Sequence, residues 1–161
     1  MTRIERRALI EARIDAVRDE YGRLSSDIVY RIESPALFDA ASPLTGAFEN
    51  ALVRAGSHVD DLEEFDDLAT ELEISFAVAR DHAETLGIAH LPESARPDAR
   101  RAGKAAQLAA GATSDGERQA ALAQVVRILD SLALHYLPAP EAARRAITAG
   151  VQASGTAASD V

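Results

Sequence analysis

The chain has 161 residues, no cysteine, and a formal net charge of −9 at pH 7. That length suits one domain, the missing thiols exclude disulfides, thiolate metal sites and cysteine nucleophiles, and the negative field disfavours nucleic acid and anionic lipid. With 34 alanines and no tryptophan, the core has to come from Leu, Ile, Val and close helix contacts.

Residues 2–32 read as one long helix. Thr2 and Glu5 have the spacing of a capping box, in which each side chain satisfies a free backbone N–H of the first turn. Ile10, Ile14, Val17, Tyr21, Leu24 and Ile28 then step 4, 3, 4, 3, 4, a heptad seam of the coiled-coil kind. Asp19/Arg23 and Asp27/Arg31 are acid-before-base pairs one helical turn apart. The seam reads first as the inner stripe of a bundle helix, but a rod of about 45 Å is long for a domain of this size, so the second reading is that part of it meets another chain.

A connection through Glu33-Ser34-Pro35 leads to a helical turn over 36–41. Ser42-Pro43 then signals a helix start, with a capping serine before a proline whose missing N–H costs nothing there. That helix carries Leu44, Phe48 and Leu52 and stops at Gly56. Residues 60–86 give the clearest pattern: Phe65, Ala69, Leu72, Phe76, Ala79, Ala83 and Leu86, with Asp60 and Glu63 as a capping box and Gly87 as the stop.

Past a proline-containing loop, Ala99, Ala102, Ala106 and Ala109 form a small-residue seam that lets a neighbouring backbone approach closely. Ser114 and Glu117 open a further helix with Leu122, Val125, Leu129, Leu132 and Tyr136, expected to run to Pro138 and to be the most buried of all. Pro140 starts a short helix to about Gly150. No segment alternates with the period of a strand. The fold class is therefore all-α, a bundle of three long helices and two or three short ones. Residues 1–150 are read as a single helical domain and 151–161 as a flexible tail.

Three constellations could carry chemistry. Asp60, Glu64, Asp67 and Glu71 share one helix face opposite the seam. Hard oxygen ligands could hold a divalent cation, but this face points to solvent and lacks EF-hand spacing, so it reads first as a solvated face and, for function, as an acidic docking surface for a basic partner. Arg96, Arg100, Arg101 and Lys104 form a basic patch that could grip an anion. No aromatic is interleaved to stack on bases.

His58, His82, His90 and His135 are scattered, with no Glu-x-x-His of the diiron kind. The only imaginable acid–base site is around Asp81, His82, Glu84 and His90. A ligand pocket, if any, is expected near His82 and Tyr136. No hydrolase, phosphate-loop, dinucleotide or zinc-protease motif occurs, and no metal or other cofactor is implied.

The expectation is a small cytoplasmic protein–protein interaction module, a homodimer or an accessory subunit, with enzyme chemistry demoted rather than excluded. Its bets are the first-helix seam and the acidic face. The starting segment has no apolar run of the signal-peptide kind, and no stretch suits a membrane span. The alternatives are a nucleic-acid-binding regulator using the arginine patches, with nucleic acid disfavoured by the net charge, or a small helical ligand binder or enzyme.

Overall fold

A computed structural model describes the backbone of residues 1–157 and the side chains of residues 1–148. The fold is all-α. In chain order it runs α1 (Arg3–Ser26), α2 (Ile28–Glu33), a 3₁₀ turn (Pro35–Phe38), α3 (Pro43–Ala55), α4 (Leu62–Leu86), two further 3₁₀ turns (Gly87–His90 and Glu93–Ala95), α5 (Arg96–Gly111), α6 (Asp115–Leu132) and α7 (Pro140–Ala157). No strand occurs among the described residues.

The first helix starts as its residues dictate. Glu5 N–H donates to Thr2 Oγ1 at 3.1 Å, and Thr2 N–H donates to Glu5 Oε2 at 2.8 Å. It ends earlier than the heptad pattern predicts. Asp27 adopts an extended backbone and its carboxylate accepts from Tyr30 N–H, so the expected rod breaks into α1 and α2. The side chain expected to pair with Arg31 is thus a cap. Arg31 turns inward instead, its guanidinium 4.9 Å from the centre of the Phe38 ring. Likewise Arg23 pairs with Glu20 rather than Asp19.

The break divides the seam between two cores. Ile10, Ile14, Val17 and Leu24 are buried with Phe48, Phe65, Leu72 and Phe76 in a first core built by α1, α3 and α4. Ile28 and Ile32 are buried in a second core with Ala99, Ala102, Val125, Leu129 and Tyr136. Phe38 packs against both. In the first core Tyr21 and Phe76 flank Phe48, with ring centres 5.0 and 5.1 Å from it.

Ion pairs set the direction of α1 on α4. Arg6 reaches Asp66 at 3.7 Å, Arg13 reaches Glu73 at 2.9 Å, and Glu20 reaches Arg80 at 2.9 Å. The pairs advance by seven residues on both helices in the same direction, so α1 and α4 run parallel. The short α3 returns antiparallel between their ends, with Arg54 bonded to Glu71.

Elsewhere the starts and stops shift by local chemistry. Asp61, not Asp60, caps α4 by accepting from the Glu63 and Glu64 N–H groups. The helix ends at Gly87, whose φ of 55° suits a residue without Cβ. All four seam alanines of α5 are buried, together with Gly103. There a Cβ would stand 3.7 Å from Ile32, which shows how closely α2 lies on α5.

The largest departure is α6. It ends at Ala133, in the left-handed region at φ 49°, ψ 34°, five residues before Pro138. It is also less buried than expected, because only Val125, Ile128 and Leu129 are enclosed. The apolar stripe that looked wide is divided between the face on α5 and the half-exposed flank. The final helix starts at Pro140 as expected but continues through Ala157, into the segment read as a flexible tail. Residues 158–161 of that tail lie outside the described residues.

Candidate functional site

The heptad seam is an internal surface. Ile10, Ile14, Val17, Leu24 and Ile28 are buried within the chain and Tyr21 is half-buried against Phe38, Phe48 and Phe76. The helix that covers α1 is α4 of the same molecule, which leaves these residues no face to offer a second chain. The reason is the parallel return of α4, whose own seam has the same step and fills the groove that a partner helix would have taken.

The acidic residues of α4 divide into an inner and an outer set. Inner carboxylates Asp66 and Glu73 accept from Arg13, whose guanidinium also donates to Thr70 Oγ1 at 2.9 Å. The hydrogen bonds from Arg13, together with its charge, hold the Glu73 carboxyl below its usual range against burial and the nearby Asp66. Glu20 is held at about 2 by Arg23 first and then Arg80.

On the outer side, Asp60 lies ahead of the helix, its backbone carbonyl accepting from Arg3 and its carboxylate 2.8 Å from His58 Nε2. It is therefore not part of the face. Glu64, Asp67 and Glu71 are exposed on α4, and Glu71 is engaged by Arg54.

That outer face holds something the seam pattern hides. Ile74 is 60% exposed and Val78 is 45% exposed. At 100° per residue, Glu63, Asp67, Glu71, Ala77, Asp81 and Thr85 lie within about 60° of Ile74. Every one of them is exposed. The result is a stripe of about 27 Å, from residue 63 to 81. Its apolar centre has three carboxylates on the N-terminal side and Asp81 on the other, with the neutral Thr85 one turn beyond. No Lys or Arg of α4 lies on it. The sequence signal was available: two β-branched apolar residues four apart, off the seam of a long helix.

The basic patch on α5 does not stay together. Arg96 donates to the Leu91 and Ala89 carbonyls, closing the 3₁₀ turns before the helix. Arg101 bonds Asp98 at 2.6 Å. Arg100 and Lys104 remain exposed beside a pocket of about 380 Å³, but the Glu33 carboxylate lines it too and accepts from Gln107 at 2.6 Å. An anion entering there meets a negative charge, which weakens the anion-binding reading of the four residues as a set.

A polar cluster around one buried carboxylate joins residues far apart in sequence, with His135 on its exposed side. Asp39, only 7% exposed, sits just after the Pro35–Phe38 turn. Its Oδ2 is 2.8 Å from His90 Nε2, and its Oδ1 accepts from Ala41 N–H at 3.0 Å and is 3.7 Å from His135 Nε2. Tyr136 packs edge-on between the imidazoles, with ring centres at 5.3 and 5.0 Å. Burial opposes the charge on Asp39, but the bond to His90, the Ala41 N–H and the nearby His135 outweigh it, so the carboxyl lies below its usual value. Burial, and then the Asp39 charge, push the Tyr136 hydroxyl up.

Local backbone turns place this cluster. The left-handed Ala133 ends α6 and carries His135 and Tyr136 back over the junction of the two cores, while Gly87 does the same for His90. His90 therefore answers to Asp39, and not to Asp81 or Glu84. His82 is exposed on α4, apart from the cluster around Tyr136. No serine, threonine or tyrosine hydroxyl bonds either imidazole among the described residues, so the cluster has a base and its orienting carboxylate without a nucleophile. No group of three or more His, Asp or Glu suited to a metal occurs among the described residues. The arrangement suits a clamp between the two cores.

Compared with known families, curated proteins and solved structures, the chain has no match. Its own geometry carries the functional reading. Among the described residues no helix is long and apolar enough to cross a membrane.

Proposed function

We propose that this protein is a protein–protein interaction module whose α4 presents its outer face to a basic, amphipathic helix of another protein. One observation carries the reading: Ile74 and Val78 stand exposed at 60% and 45% in the middle of a helix face whose charged residues are all carboxylates. A solvated face needs no β-branched pair at its centre, whereas a helix-binding face needs apolar anchors flanked by charge. The partner chemistry follows from those flanks. Lys and Arg beside an apolar stripe meet Asp67 at one end, next to Glu63 and Glu71 that Arg6 and Arg54 of the same chain already engage, and Asp81 at the other. Complementary charge raises the encounter rate and excludes acidic competitors.

The first-helix seam is withdrawn from this role, because it is filled by α4. The acidic face takes the role instead, centred about two turns further along the helix than Asp60–Glu71 and anchored by the apolar pair. The folded chain acts as a rigid support for that face, since α4 is pinned from behind by α1 and α3.

The test uses a synthetic 18-residue helical peptide with Leu at positions one turn apart and Lys flanking them. Its binding to the wild-type chain is compared with binding to an Ile74→Ser, Val78→Ser variant, with an isomeric peptide carrying Glu in place of Lys as control. Loss of binding by tenfold or more in the variant, and steep weakening with salt, support the reading. Equal binding of both peptides, or no effect of the double substitution, removes it.

A further inference from the structure

A second surface, independent of α4, lies on α5 and α6. The short connection 112–114 folds α5 and α6 into an antiparallel hairpin. One side of that hairpin packs on the second core; the other carries an open groove of about 830 Å³. Leu108, Ala120 and Ala121 line its middle, with Gly111 and Ala112 at the end nearest the hairpin turn. Leu108 is 68% exposed, the most exposed leucine among the described residues.

The groove is electrically bipolar. Lys104 lines it, with Arg100 one turn further along the same face of α5 and also exposed. Glu117 lines it on α6. With 1.5 Å per residue and antiparallel helices, Lys104 and Glu117 lie on opposite sides of the groove's midpoint, each about 4 Å from it along the axis. A two-fold axis through that midpoint, perpendicular to the helices, therefore brings Lys104 of one molecule level with Glu117 of another, and does so twice. The same operation sets Leu108 against the small residues of the facing groove. Such self-complementarity is what an isologous interface requires.

We infer that the α5–α6 groove is a self-association surface, in which two copies of this chain pack groove to groove through Leu108 and exchange Lys104–Glu117 contacts. The hairpin face is about 24 Å long and two helices wide, so the pair buries about 1,000 Å² in total, at the lower end for a specific contact. The association is accordingly weak and concentration-dependent.

Sedimentation equilibrium tests it on the full chain. The wild type should run as a monomer at about 2 µM and shift toward the dimer mass by about 200 µM. Leu108→Glu, at an exposed position that leaves the helical circular dichroism unchanged, should stay monomeric throughout. Lys104→Glu should weaken the dimer about tenfold by opposing Glu117, and adding Glu117→Lys should restore it, a rescue that a merely structural lysine would not give. A wild-type monomer at about 200 µM would give the groove to another occupant and overturn the proposal. So would a dimer indifferent to Leu108→Glu, or a charge exchange without rescue. None of these outcomes depends on peptide binding at α4.

Discussion

Ala133 shows how a single backbone torsion can decide what a surface contains. An alanine in the left-handed region costs about 1 kcal/mol through contact between its Cβ and the following carbonyl. It persists because stopping α6 there allows Tyr136 and Leu137 to be buried and His135 to face Asp39. Replacing it should remove the strain without changing the path of the chain. Ala133→Gly is expected to raise stability by about 0.5–1 kcal/mol, read as a higher urea midpoint at unchanged slope. An unchanged or lower midpoint would mean that the loop is not held in this torsion.

At the scale of helices, small side chains control distance. Ala99, Ala102, Ala105, Ala106 and Ala109 are all buried on α5, and Gly103 faces Ile32. They contribute little apolar area each, yet they let α2 and α6 approach until Ile32, Val125 and Leu129 are enclosed. Lengthening one of them overfills the contact. Ala102→Leu should cost about 1–3 kcal/mol, measured by chemical denaturation, whereas Ala110→Leu on the exposed side of the same helix should cost little. If the two variants lose the same stability, the close approach of α5 to its neighbours is wrong.

The same scale explains the fate of the heptad seam. A step of 4, 3, 4, 3 says that a helix has a narrow apolar stripe; it does not say which helix fills it. The pattern was legible in residues 10–28 and again in 65–86, and the part from Ile10 to Leu24 turns out to face the second stripe, while Ile28 joins the other core. The break at Asp27 was less legible, because aspartate one turn before Arg31 fits a surface ion pair as well as a cap. The geometry of Tyr30 N–H decides for the cap.

For the molecule as a whole, charge placement predicts an acid response. Glu73 and Glu84 are held below their ordinary values by Arg13 and by Arg80, respectively, Glu20 is held at about 2, and Asp39 is also lowered. In the unfolded chain these groups take up protons near pH 4–4.5, before the folded chain does. Stability from them is therefore complete above that range and is lost as pH falls toward the folded values.

Thermal midpoints should be level from pH 7 to about 5 and decline below about 4.5. Glu73→Gln should flatten the decline, because its partner Arg13 ties α1 to α4. A decline of equal slope in the variant would place the acid sensitivity elsewhere. The three glutamate pairs are about a third or more exposed, so salt reduces their share.

The division between sequence and fold is physical. Helical character, the capping at Thr2 and Ser114, the stop at Gly87 and the close alanine face of α5 were determined by the residues themselves, because propensity, capping and periodicity act within a few positions of the chain. Which stripe covers which, that Asp39 meets His90 and His135, that the α1 seam lies inside, and that Ile74, Val78 and Leu108 remain outside were decided only by the tertiary structure. Those outcomes depend on the direction in which α4 returns along α1 and on the two positive-φ turns at Gly87 and Ala133, and burial is a property of neighbours far away in sequence.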